Sequence, residues 1–340
     1  VVRDAAAPDP LAAAQATRPS WGGRLSRAAA LASVAMAVPD NVVSNASVAE
    51  EAGVTEQWIV HRTGIRERRH VSPGERLTDL AVTAGRQALE DAEVRPDEVD
   101  MVLVATFAAD ELSPNAAPLV AYELGAHGAG AMDVGAACTG YLSALSLAAA
   151  QVESGRCDNV LVIGADVMSR FVDKRDRGTA AIFADGAGAT LVTVANGGRG
   201  RIGPIALYAD GLGAPAIWAS HDEKVIHMQG HDTFKAAVHR LSESTLEALE
   251  RAELELDDIG LFVYHQANAR ILAAVGEQLG IDSERVIDCI DRYGNTSSAT
   301  LPIALADARE RGMLEPGMNV VLAAFGAGFT WGAGVIQWGR

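Results

Sequence analysis

Three side chains in this 340-residue chain have the types and settings that acyl chemistry at a sulfur requires: Cys138, His265 and Asn295. Cys138 ends the short apolar run AMDVGAAC, after which the pattern turns into the Ala/Leu-rich segment TGYLSALSLAAAQVESG. That spacing predicts a strand-to-helix junction, where the free amides of the first helical turn carry partial positive charge. Such a field favours thiolate over thiol and makes the sulfur nucleophilic. A lone cysteine more often reads as a buried, inert side chain, so its companions have to decide. His265 closes the apolar run LFVYHQ, and Asn295 lies in RYGNTSSAT, ahead of a Thr/Ser cluster that starts a helix. Parallel α/β sheets commonly place reacting groups at exits of this kind. Singly, the histidine reads as structural and the asparagine as a turn or cap. Together the three form a nucleophilic set in which the thiolate carries an acyl group while imidazole and amide hold developing negative charge. The segment AFGAGFTWG (324–332) adds backbone amides, and that of Gly328 is placed to meet a thioester oxygen; a tight β-turn is the alternative.

A second constellation is EQWIVHRTGIRERRH (56–70), which gathers Arg62, Arg66, Arg68 and Arg69 beside Trp58. Guanidinium groups next to an indole suit a phosphate-bearing nucleotide with a flat base. A solvated loop with a half-buried tryptophan is the competing reading.

The elements that must position these residues follow from periodicity. Leu25 to Val38 predicts the first strand, with a helix as the alternative its alanines leave open, and Asn45 as cap of the SVAEEAG helix. Leu77 to Ala92 predicts an amphipathic helix, MVLVATF (101–107) a strand, PNAAPLVAYELG (114–125) a helix and NVLVIGAD (159–166) a strand buried on both faces. A connecting region then runs to Gly230, followed by a helix from Thr233 to about Ala252 and the strand LFVYHQ. NTSSATLPIALADARERG reads as the counterpart of the Cys138 helix, and two glycine-joined strands close the chain. DEVDMVLVAT and LDDIGLFVYHQ echo one another, which points to an internal duplication in a layered α/β fold. The expected division is an N-terminal extension (1–24), a half carrying the cysteine (25–200) and a half carrying the histidine and asparagine (201–340).

Composition narrows the function classes. A net charge of −16 leaves no basic stripe for nucleic acid. The three cysteines are too few and scattered for a disulfide scaffold or a cysteine-rich metal site, so no metal is expected and a reducing cytoplasm is the expected setting. No run reaches the length of a membrane helix, and residues 1–23 lack the apolar core of a signal peptide.

DVGAACTGYLSAL, HQAN, YGNTSSAT and AFGAGFTWGA, with WIVHRTGIRERR ahead of them, closely resemble β-ketoacyl-acyl-carrier-protein synthase III, the initiating condensing enzyme of the thiolase superfamily. The resemblance spans about residues 27–338. It implies a duplicated α-β-α-β-α core of five layers and a homodimer. It further implies decarboxylative condensation of an acyl-CoA primer, carried on Cys138, with malonyl-carrier protein or malonyl-CoA. His265 and Asn295 would meet the enolate, and the amides of Cys138 and Gly328 would form the oxyanion hole. Trp58 and Arg177 would sandwich adenine, Arg62 would lie near the phosphates, and Asn268 would position pantetheine. Lys235 and Arg270 would meet an acidic acyl carrier protein. No permanently bound cofactor is implied, only coenzyme A thioesters as substrates.

Two departures stand out. Ser113 replaces the bulky Phe that often precedes the proline at the mouth of the primer pocket, and Glu277 with Gln278 replaces a lysine pair. The first predicts room for larger primers; the second weakens the positive field that draws a carrier protein. A thiolase would need a second active-site cysteine in the C-terminal Gly-rich segment, and AFGAGFTWG has none. Transfer from Cys138 to an alcohol or amine without decarboxylation is the other reading; Asn295 argues against it.

Overall fold

The computed structural model describes residues 27–196 and 200–339, so the 1–24 extension lies outside the described residues. In chain order the strands are β1 (Ala29–Ala37), β2 (Val42–Ser44), β3 (Glu67–Arg69), β4 (Met101–Ala105), β5 (Gly130–Val134), β6 (Asn159–Val167), β7 (Asp185–Val194), β8 (Ile202–Ala209), β9 (Ile217–Ala219), β10 (Ile226–Met228), β11 (Ile259–Tyr264), β12 (Asn319–Gly326) and β13 (Thr330–Gln337). One sheet runs β1-β7-β6-β4-β5 and the other β11-β12-β13-β8.

The two orders are the same arrangement written twice. β4 pairs β6 in parallel, β6 pairs β7 and β7 pairs β1 antiparallel. In the second sheet β11 pairs β12 in parallel, β12 pairs β13 and β13 pairs β8 antiparallel. The counterpart of β5 has shrunk to a single parallel bridge between Phe262 and Val286. The duplication that two short echoes hinted at is therefore carried by topology.

Five layers result. Helices Gly140–Glu153 and Thr300–Glu310 lie between the sheets, where Tyr141, Leu145, Leu301 and Leu305 share one core with Val162 and Leu322. Helices Leu77–Asp91 and Ala116–Leu124 cover the outer face of the first sheet, and Gly230–Ala252 and Ala269–Leu279 that of the second. β4 and the middle of β6 are apolar because both their faces are covered. The thiolase-like α-β-α-β-α core is thus present.

Three local expectations need correction. Ser44, not Asn45, caps the first described helix (Asn45–Ala52); Asn45 is buried and its amide serves Arg68 and the Ile65 carbonyl. The stretch up to Gly230 is not a plain connection, since it contains β8 and the β9–β10 hairpin. The helix expected from Thr233 begins at Gly230.

The central helices start alike. A 3-10 turn, Ala137–Thr139, precedes the first, and another, Ser297–Ala299, precedes the second. Each opens on a non-glycine residue in the left-handed region, Ala137 at φ 44° and Ser297 at φ 53°. That conformation costs about 1 kcal/mol or more per residue, so packing has to hold it. The second turn nests against β6 because Gly164 has no side chain: a Cβ there would sit 2.5 Å from the Ser298 carbonyl oxygen. Gly164→Ala should therefore lower stability by about 1–3 kcal/mol in urea unfolding and displace the 297–299 turn. Wild-type stability in that variant would mean the turn is free to shift.

Candidate active site

The sulfur, the imidazole and the amide meet through one short segment, residues 295–300. Asn295 is fixed by the first half of the chain: its N–H donates to the Ile182 carbonyl at 3.0 Å and its carbonyl accepts from Ala184 N–H at 2.9 Å. Its side-chain Oδ1 accepts the Ser297 amide at 2.8 Å, which leaves the Nδ2 hydrogens for the site. The Ser297 hydroxyl donates to Cys138 Sγ at 3.7 Å. The Thr300 hydroxyl stands 3.0 Å from the Ser297 carbonyl and 2.5 Å from His265 Nδ1. His265 leaves β11 with its own N–H bonded to the Ala323 carbonyl of the neighbouring β12.

Behind this segment lies a carboxylate that the sequence reading passed over. Asp166, near the end of β6, accepts from the Ser298 amide and hydroxyl at 3.0 and 2.7 Å, from the Thr106 hydroxyl at 2.9 Å and from the Phe107 and Ala108 amides. Burial pushes its carboxyl above the usual range, while these donors pull it back. A charged residue ending the otherwise apolar run NVLVIGAD was the signal for it. Ser297 and Thr300 were visible only as part of a Thr/Ser cap cluster.

The electrostatics of the sulfur also need correction. Cys138 keeps partial exposure as a residue, yet burial of the sulfur pushes its thiol up to about 11. The Ser297 hydroxyl and the amides of Cys138 and Ala327 oppose that shift; the buried Asp166 charge adds to it. The expected thiolate is not the resting form because the helix proper begins only at Gly140, after the 3-10 turn. Desolvation outweighs the field that remains. The second amide at the sulfur belongs to Ala327, the neighbour of Gly328. Gly326 lets this strand end approach, since a Cβ there would meet Cys138 Cβ at 3.0 Å. His265 is neutral, its pKa pulled down to about 3 by burial.

The nucleotide-side residues are only partly assembled. Arg62 and Arg177 place their guanidinium carbons 5.9 and 5.8 Å from the Trp58 ring centre. Asn268 caps helix 269–279 by accepting the Arg270 amide at 2.9 Å and donates to the Arg62 carbonyl at 3.0 Å, so it braces that helix against the Trp58 helix, Glu56–Thr63. The four-arginine cluster does not exist. Arg68 is fully buried on Asn45 and the Ala181 carbonyl, Arg69 pairs with Glu67, and Arg66 lines an open groove with Glu56, Gln57 and His61. Arg270 lies over Phe234, 5.5 Å from the ring centre, and Lys235, the next residue on that helix, is exposed. Ser113 is exposed on a loop pinned by Asp110, which accepts the Leu77 and Thr78 amides and pairs with Arg170 at 2.6 Å. Among the described residues no group of three or more His, Cys, Asp or Glu could hold a metal ion, and no helix is long and apolar enough to cross a membrane.

Models of the 3-oxoacyl-[acyl-carrier-protein] synthase III family match residues 132–211 and, for its C-terminal part, 249–338. A β-ketoacyl-[acyl-carrier-protein] synthase III of Streptomyces coelicolor is 42% identical over 93% of this chain and 95% of its own length. The chain belongs to this family. The synthase III crystal structure from Pseudomonas aeruginosa superposes with a TM-score of 0.89 at 36% identity, covering 92% of this chain and 99% of that one. The priming β-ketosynthase of a polyketide biosynthetic pathway gives 0.88 at 35% identity, covering 92% and 97%. As a synthase III, the protein is an acyltransferase of the condensing class, in the thiolase superfamily, that uses coenzyme A thioesters.

The raised Cys138 pKa has a direct readout. Below its pKa the thiolate fraction, and with it the alkylation rate by iodoacetamide, should rise about tenfold per pH unit from about pH 7 to about pH 10. Peptide mapping isolates Cys138 from the buried Cys157 and Cys289. A plateau already present at neutral pH would show a resting thiolate.

Proposed function

We propose that this synthase III joins an acyl-CoA primer, held on Cys138, to the two carbons that malonyl-carrier protein or malonyl-CoA contributes after losing carbon dioxide. The product is a β-ketoacyl thioester, and the setting is the start of fatty acid or polyketide assembly in the cytoplasm. One observation carries the reading: Ser297 ties the Cys138 sulfur to Asn295 directly and to His265 through Thr300.

In the first half-reaction the Cys138 sulfur attacks the thioester carbonyl. The amides of Cys138 and Ala327 receive the charge on its oxygen, each worth on the order of 3 kcal/mol. The proton leaving Cys138 ends on the coenzyme A sulfur. The Ser297 hydroxyl donates to the sulfur and lowers the cost of deprotonation. In the second half-reaction the malonyl carboxylate leaves as carbon dioxide, and the electron pair of the broken bond becomes an enolate. His265 and the Nδ2 hydrogens of Asn295 are the donors assigned to its oxygen. Enolate carbon then attacks acyl-Cys138, and the sulfur departs and recovers one proton.

Trp58 and Arg177 are assigned to the adenine. A base held between them needs about 7 Å, two contacts of about 3.5 Å, so the observed 5.8 Å must open by roughly an ångström on binding. Arg62 then faces the phosphates, while Asn268 acts through its brace. Lys235 and Arg270 are assigned to the carrier protein. β5 is an edge strand beside exposed Met132, Tyr122 and Leu112. Unpaired edges of this kind are normally covered, and we assign this one to a second copy of the chain. Ser113, on the neighbouring loop, would then reach the partner's pocket mouth.

Two experiments test these assignments. Incubated with acyl-CoA, the enzyme should gain the acyl mass at Cys138 and lose it on adding malonyl-thioester, with release of carbon dioxide. Cys138→Ala should abolish acylation, whereas His265→Ala or Asn295→Ala should reduce carbon dioxide release by about a hundredfold. Undiminished release in both, or acyl loss without carbon dioxide, would remove the condensation reading. Separately, four-to-eight-carbon primers should acylate Cys138 at least as fast as acetyl-CoA, and Ser113→Phe should reverse that order. Far faster acylation by acetyl-CoA than by every longer primer would refute the assignment of Ser113.

A further inference from the structure

The contact between His265 and Thr300 decides which nitrogen of the imidazole faces the substrate. Thr300 Oγ1 lies 2.5 Å from His265 Nδ1 and 3.0 Å from the Ser297 carbonyl oxygen. A threonine hydroxyl has one proton to give. If the carbonyl takes it, Nδ1 must carry a hydrogen that donates to Oγ1, and Nε2 is left bare. If Nδ1 takes it, the single ring hydrogen sits on Nε2.

Three features favour the second arrangement. The Ser297 carbonyl already accepts the Thr300 backbone N–H at the end of the 3-10 turn and is satisfied without the hydroxyl. Imidazole nitrogen is also the more basic of the two acceptors. Thr300 is only 2% exposed and His265 3%, which leaves little water to offer Nδ1 another partner.

We infer that Thr300 is a positioning residue that locks His265 as its Nε2–H tautomer, making the ring a hydrogen-bond donor in the decarboxylating half-reaction rather than a base for Cys138. This rests on the condensation reading for its consequence, though not for the tautomer itself. The ring is neutral, so it has a single N–H to place. With Nδ1 occupied as an acceptor, that N–H points away from Thr300, as a donor to an enolate oxygen requires. Acylation should then depend little on Thr300, because the sulfur does not hand its proton to this ring.

The test uses the full-length enzyme labelled with 15N in its imidazoles, the His265 signals being identified by their loss in His265→Ala. In the wild type, Nε2 should be protonated and Nδ1 an acceptor. Thr300→Val keeps the shape, removes the hydroxyl and should give a mixture of tautomers; Thr300→Ser should restore the wild-type spectrum. Malonyl-thioester decarboxylation should fall about ten- to a hundredfold in Thr300→Val, the usual range for losing a group that orients an active-site side chain. Single-turnover acylation of Cys138 should change less than about twofold, as an intact nucleophile and oxyanion hole imply, and Thr300→Ser should recover most of the decarboxylation. A protonated Nδ1 in the wild type overturns the assignment, as does Thr300→Val with an unchanged spectrum or an unchanged decarboxylation rate. If Thr300→Val does not fold, the wild-type spectrum alone still decides the tautomer. An Nε2–H histidine in an enzyme that releases no carbon dioxide supports the Thr300 assignment and removes the condensation reading instead.

Discussion

The site depends on a buried carboxylate holding a turn from the other half of the chain. Asp166 belongs to the first sheet, while Ser298, whose amide and hydroxyl it accepts, belongs to the turn that starts the second central helix. Thr106 and the two amides after it complete the ring of donors from the first half. Leaving any of these buried groups unpaired costs about 1–3 kcal/mol. That is enough to hold Ser297 in its left-handed conformation. Ser297 in turn positions Asn295 by its amide and touches Cys138 by its hydroxyl. The geometry around the sulfur is thus set by an interaction that never touches a substrate.

This support carries an electrostatic cost. The carboxylate that fixes the turn also raises the thiol pKa, together with the larger effect of burial. A resting thiol is less reactive, and it is also less exposed to oxidation and stray acyl donors. The donors opposing that shift, the Ser297 hydroxyl and two backbone amides, gain strength as negative charge appears in a site of low dielectric. They stabilise the charged species more than the neutral one, which is where a catalyst benefits.

How much of this was legible in the sequence depended on whether a feature was local. The long buried strands β4, β6 and β11 and the central helices were readable because their apolar periodicity is long and uninterrupted, and Cys138, His265 and Asn295 because each sits where that periodicity breaks. What failed was non-local. Arg68 looks like its neighbours in RERR, but alternation along β3 turns it inward, where Asn45 waits for it 23 residues away. That the Ala327 amide bonds the sulfur was equally hidden, because it depends on how the turn after β12 meets Cys138. Asp166, Ser297 and Thr300 act only through partners as much as 159 residues distant, which no window along the chain contains.

The duplication gives these support residues a structural logic. Superposing the two 3-10 turns places Ala137 on Ser297, Cys138 on Ser298 and Gly140 on Thr300. Both copies kept the strained first residue, since that conformation aims the following residue toward the junction between halves. They then diverged in opposite directions. The first copy put a nucleophile at the middle position and glycine at the helix start, where a Cβ would sit 3.2 Å from Ala105 and 3.5 Å from Ser298. The second put hydroxyls at all three places, each with a different client: Ser297 serves the sulfur, Ser298 the carboxylate and Thr300 the imidazole. A pseudo-symmetric scaffold brings two equivalent helix starts face to face, so one can bear the reacting group only if the other gives up reactivity to hold it. The serine opposite Cys138 is not a spare nucleophile, because its hydroxyl is already committed between Asp166 and the Ala105 carbonyl.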